Sequence, residues 1–175
     1  MKASVVALVL AACGDNGVAP SAGDPQTPPT DTSRLAAWIA RGYYLAWSCE
    51  PQVHDARSPS PHGANRVCSN DLVVDSATGD WPAGAASVKE IYDDATSNAP
   101  TAHAVSLKLA ADSDGGAAWY WSERLLDGSG SDGLGDRGTP KSTCVACHVA
   151  AGSDTAHTPT PNGRDFIYTP VPRRR

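Results

Sequence analysis

Two thiols and an imidazole are packed into Cys144-Val145-Ala146-Cys147-His148. Cysteines at this spacing reach both vinyl groups of one haem, and a histidine that follows at once lies under the iron as an axial ligand. Cys144 and Cys147 are therefore candidate thioether attachments for one covalent haem c, and His148 is the candidate metal ligand. Two rival chemistries use similar spacing. A dithiol redox motif expects a βαβ setting, whereas this run lies between a Gly/Asp-rich segment and a Gly/Pro/Thr-rich one. A structural zinc site needs a second ligand pair at metal spacing, and Cys13, Cys49 and Cys68 make none.

The other axial position is limited by composition. The single methionine is Met1, so a Met/His haem of the electron-carrier kind is excluded from the mature chain. His54, His62, His103 and His157 are the remaining imidazoles, each in a segment that reads as loop or strand edge. A loop histidine is most often solvated, so an open iron position is the leading expectation. Open haem sites bind or activate small molecules.

The chain starts with Met1-Lys2, an apolar run over Ala3–Leu10, and then Ala11-Ala12-Cys13-Gly14. The run is too short to cross a bilayer and has the form of an export signal. Its end resembles a bacterial lipoprotein signal, which implies cleavage after residue 12, lipidation of Cys13, and a periplasmic protein anchored to the outer membrane. In an oxidising compartment Cys49 and Cys68, which neither lipid nor haem uses, tend to form a disulfide. The net charge of −5 argues against nucleic acid as a partner. Arg173-Arg174-Arg175 reads as a solvated tail.

Residues 13–32 are rich in Pro, Gly, Asp, Thr and Ser and read as a flexible tether. A folded domain is expected over 33–172. Leu35, Trp38, Ile39, Tyr43 and Ala46 recur at helical spacing, so a helix is expected over 34–47 with Ser33 as its cap. Residues 50–65 read as loop. Strands are expected over 66–75, 86–92, 104–110 and 117–123, the last two as a hairpin around Asp112-Ser113-Asp114-Gly115-Gly116. Residues 127–139 read as loop and 165–171 as a final strand. The fold class is α+β, an N-terminal helix followed by a mainly antiparallel sheet that carries the C-terminal haem motif. Asp93, Asp94, Asp112 and Asp114 read as solvated turn acids, and Arg66 and His62 either line a distal pocket or form a loop salt bridge. Trp119, Tyr120 and Trp121 are expected to divide between core and haem packing.

Five runs then converge on one family: Asn65-Arg66-Val67-Cys68-Ser69-Asn70-Asp71, Gly84-Ala85-Ala86-Ser87-Val88-Lys89-Glu90-Ile91, Ala118-Trp119-Tyr120-Trp121-Ser122-Glu123, Cys144-Val145-Ala146-Cys147-His148, and Asp165-Phe166-Ile167-Tyr168-Thr169-Pro170-Val171. Together they resemble the cytochrome P460 family and its gas-binding relatives, the beta-type cytochromes c-prime. The resemblance implies a mainly antiparallel β fold, often a homodimer, with His148 as proximal ligand. It also implies that Lys89 bonds covalently to the haem edge, as the lysine of the Val-Lys-Glu strand does in P460 members. A lysine nitrogen bonds carbon only when neutral, and burial beside an apolar haem favours that form; a lysine snorkelling over Ile91 is the ordinary alternative. Family members that oxidise hydroxylamine carry a carboxylate shortly after the haem histidine. Here Val149-Ala150-Ala151-Gly152 follow, and the nearest acids are Asp154 and Asp165; Asp154 is the candidate base. Beta-type members cap the distal face with phenylalanine, and this chain has one, Phe166.

The function expected is a redox enzyme acting on hydroxylamine or nitric oxide at an open haem iron, with a separate cytochrome taking the electrons. The alternatives are a five-coordinate module that binds or senses a gas without turnover, and a simple electron carrier.

Overall fold

Asp31 accepts a hydrogen bond from the Arg34 amide at 2.9 Å and so caps α1, Thr32–Ala40. The cap is Asp31 rather than Ser33. The helix is shorter than 34–47 because Gly42, at φ 66°, turns the chain into a 3₁₀ turn over Tyr43–Ala46. The computed structural model describes residues 24–56, 60–76, 79–135, 142–151, 163–168, 171 and 173. The end of the expected tether packs against α1: Trp38 and Trp47 donate their indole N–H groups to the carbonyls of Asp24 and Pro25, and Pro28 is fully buried. One indole on α1 and one at the end of the 3₁₀ turn thus hold that segment down.

Six antiparallel strands follow in sequence order: β1 Ser48–Cys49, β2 Ala64–Ser69, β3 Ala86–Tyr92, β4 Ala102–Lys108, β5 Trp119–Leu125 and β6 Gly130–Leu134. Two further short helices are α2, Asp71–Val74, and α3, Ser142–His148. The strand expected over 66–75 is split. Asn70 ends β2 by accepting from the Val73 and Ala86 amides and donating to the Gln26 and Gly84 carbonyls, so Leu72, Val73 and Val74 enter α2. β6 occupies a segment expected to be loop. Its side chains give little apolar pattern, but its backbone pairs with β5 from Tyr120↔Leu134 to Arg124↔Gly130. Of the strand expected over 165–171, the described residues 165–168 form instead a tight turn closed by Arg164 and Ile167, in which Asp165 and Phe166 have φ of 43° and 65°.

Side chains alternate across the sheet. Cys68, Ala86, Val88, Val105, Leu107 and Tyr120 face Leu35, Trp38, Tyr44 and Trp47, which form one core. Trp119 and Trp121 face the other way, into a second core with Val73, Trp81, Ala85, Phe166 and Ile167, against which Cys144 and Val145 of α3 pack. The sheet is therefore covered on both faces, by the N-terminal elements on one and by the C-terminal segment on the other. Cys49 and Cys68 lie opposite each other in the β1–β2 register and form a disulfide. The span of 19 residues that it closes constrains the unfolded chain by about 3 kcal/mol.

The N-terminal face buries an ionised group. Glu90 accepts from Tyr44 Oη at 2.9 Å, Arg66 Nε at 2.7 Å and Tyr92 Oη at 2.8 Å. His103 Nε2 lies 3.1 Å from the same Tyr44 oxygen. Because the phenol proton is committed to Glu90, the imidazole is the donor in that contact. Burial pushes the Glu90 carboxyl up, but the bonds from Arg66, Tyr92 and Tyr44 outweigh it and hold the pKa below its ordinary 4.5. Burial holds His103 below its ordinary 6.5. Stability from a depressed carboxylate is present above the unfolded pKa and lost as pH falls through the folded one. A histidine kept neutral by folding weakens the fold on the same acid side. Thermal melts from pH 7 to pH 3 are therefore expected to show falling stability. Glu90→Gln is expected to be less stable at pH 7 by about 1–3 kcal/mol, the cost of disturbing a buried network, and to have a flatter acid limb. A variant with the parent's pH slope removes Glu90 from this role.

Candidate haem-binding site

In a helix, residues three and four apart share a side, so the α3 backbone puts Cys144, Cys147 and His148 on one side of a single turn. The Cys144 thiol is half-buried against the second core and that of Cys147 is exposed; neither is in a disulfide. α3 approaches the sheet closely. A Cβ on Gly116 would stand 2.7 Å from Val145 Cγ1 and 3.3 Å from Phe166 Cε1, and the residue has φ +101°. Glycine is thus what lets α3 settle on the start of β5.

His148 is held from three sides. Its ring lies 4.5 Å from that of Trp121 and 5.3 Å from that of Tyr168, and Nδ1 is 2.7 Å from the Phe166 carbonyl oxygen. A carbonyl only accepts, so Nδ1 carries the proton and the Nε2 lone pair is left for a metal. Burial pushes the His148 pKa down to about 4; the Phe166 bond raises it, and the charges of Lys89 and His62 lower it further. The imidazole is neutral at pH 7, as an iron ligand must be. Tyr168 Oη also donates to the Cys147 carbonyl at 2.6 Å.

Strand register puts Lys89 on this side of the sheet. It lies opposite Val67 and Ala104, and Ala104 lies opposite Glu123, so Lys89 and Glu123 share a face across one small residue. Lys89 is half-buried. His62 Nδ1 stands 3.5 Å from Glu123 Oε2. Glu123 was visible in the sequence only as the end of the Trp-rich strand; counting alternate residues from Trp119 and Trp121 is the signal that assigns it to this face. Trp121 Nε1 is buried without a hydrogen-bond partner among the described residues. An orphaned donor beside His148 fits a neighbouring group that accepts there. The two thiols outside any disulfide, the neutral imidazole with its Nε2 lone pair uncommitted to a proton, and this donor together suit a covalent haem.

Other expected residues go elsewhere. Arg66 is paired with Glu90 on the opposite face, and His103 is buried there too, so neither stands on the His148 side. His54 is engaged at both ring nitrogens, by the Asp55 carbonyl and by Glu50. His62 is on the His148 side, as its approach to Glu123 shows. Asp165 is buried in a polar network and is not available as a base. Arg173 pairs with Asp75 rather than standing free. The 1–12 signal, Cys13, Asp154 and His157 lie outside the described residues. No described helix is long and apolar enough to cross a membrane. No family model matches the chain, and no curated protein matches it.

Gly116→Ala is expected to lift α3 from the sheet. Stability should drop by about 1–3 kcal/mol, the usual cost of overpacking, and Cys144 of the haem-free protein should react faster with a thiol reagent. Parent-like melting and labelling would show that this approach is not tight.

Proposed function

We propose that this chain is an exported, lipid-anchored haem c protein of cytochrome P460 type, acting on a small nitrogen species such as hydroxylamine or nitric oxide. The observation that carries the proposal is the arrangement on α3: Cys144 and Cys147, neither in a disulfide, share a side with His148, whose Nδ1 proton is committed to the Phe166 carbonyl at 2.7 Å. Cys144 and Cys147 would hold the two vinyl positions through thioethers, and His148 Nε2 would hold the iron. A bound haem supplies a redox-active iron with a coordination position open to a small ligand.

The remaining roles belong to the chain. Trp121 and Tyr168 fix the plane of the His148 ring. Lys89, on the same face of the sheet, is the residue for a covalent bond to the haem edge. His62 and Glu123 are two described groups on that side able to hold or move a proton; Asp154 remains the candidate that follows the haem motif. The export signal and Cys13 support a periplasmic location at the outer membrane, with a separate cytochrome as redox partner.

Expression with export in a haem-maturing host tests this. The intact mass should exceed that of the polypeptide by one haem, and Cys144→Ser/Cys147→Ser should return the bare mass. Lys89→Ala should keep haem but lose any red-shifted ferrous band; an unchanged spectrum removes Lys89 from the chemistry. A colourless parent of bare mass overturns the proposal. Nitric oxide binding without hydroxylamine-dependent dye reduction would assign the protein to ligand binding without turnover.

A further inference from the structure

We propose that the buried Lys108–Asp165 pair is a positioning device for the axial ligand, holding the Phe166 carbonyl on His148 Nδ1 and so setting how strongly the imidazole donates to iron. The inference rests on the haem reading above.

Lys108 at the end of β4 is 0% exposed and Asp165 is 1% exposed. Asp165 Oδ2 accepts from Lys108 Nζ at 2.5 Å and from the Trp81 amide at 2.8 Å. Its Oδ1 accepts from Ser113 Oγ at 2.5 Å, and that hydroxyl accepts from Trp119 Nε1 at 3.0 Å. Both carboxylate oxygens are thus fixed from separate parts of the fold. Stability alone is a weak reason for such a pair, since a well-packed apolar replacement is often as stable or more so.

What the pair secures is an unusual turn. Asp165 and Phe166 are consecutive non-glycine residues at φ 43° and 65°. L-residues avoid this region and keep it only where the surroundings over-determine it. The network above fixes the first residue. The fully buried Phe166 ring, packed on Trp119, fixes the second. The left-handed turn aims the Phe166 carbonyl at His148 Nδ1. A hydrogen bond to the far nitrogen raises the basicity of a ligating imidazole, and its loss weakens donation to the metal. Lys108 and Asp165 touch no ligand of their own; they act through Phe166.

The test uses haem-loaded protein from a maturing host. Asp165→Asn and Lys108→Met are compared with Glu90→Gln, which disturbs a buried network on the opposite face. Mass and haem absorbance report attachment. The midpoint potential and the ferrous iron–imidazole stretching frequency report donation by His148. With haem retained, Asp165→Asn and Lys108→Met should raise the potential and lower the stretching frequency, while Glu90→Gln should lower stability and leave both unchanged. If the first two variants do not fold, Ser113→Ala keeps the ion pair and decides the matter through a smaller shift in the same direction. Loaded variants with the parent's potential and stretch overturn this inference and leave the haem reading intact. A parent without haem overturns both.

Discussion

A sheet covered on both faces leaves no freedom in register, and the two halves of this protein depend on that constraint. Adjacent residues on β3 serve opposite layers: Glu90 enters the Tyr44–Arg66–Tyr92 network under the N-terminal segment, and Lys89 faces the His148 side. A slip of one residue would exchange them. It would take Val88 out of the core with Trp38, Trp47 and Leu107 and put the Lys89 ammonium on that face in place of the Glu90 carboxylate. Cross-strand partners on both sides of β3 hold the alignment over its length.

Each face also contains a buried charge, and the two are stabilised differently. Glu90 lies beneath a mixed shell of phenols and a guanidinium that is itself partly solvated. Asp165 is matched by a fully buried ammonium and by neutral donors from Trp81 and Ser113. A buried ion without such partners would cost several kcal/mol. The second arrangement also joins three distant parts of the chain: the end of β4, the turn before β5 and the C-terminal turn. The site therefore stands on β5, α3 and that turn together, and the rigidity of each is borrowed from the others.

Much of the fold was legible in local pattern. β3 matches its expected range, and β4 and β5 are displaced by about one turn of alternation from theirs. Trp119 and Trp121 share a face because period two requires it. Three features were not legible. β6 has almost no apolar side chains, and only its backbone pairing makes it a strand. Residues 71–74 read as strand because Leu72, Val73 and Val74 favour one, yet the Asn70 side chain supplied a cap that local propensity did not weigh. The C-terminal turn read as strand from Phe166, Ile167 and Tyr168, and long-range bonds to Asp165 bent it.

The sequence by itself determined the grouping of Cys144, Cys147 and His148 on α3, because their spacing acts within one helical turn. It also determined that the given sequence has no methionine after Met1 to compete for a metal. Tertiary structure alone decided that Arg66 and His103 lie away from the site, that Lys89, Glu123 and His62 lie toward it, and that Asp165 is a buried anchor. Such assignments depend on pairing between residues tens of positions apart. Side-chain periodicity reports only the local backbone, whereas the choice of partner for a charge is made when the layers close and water is expelled.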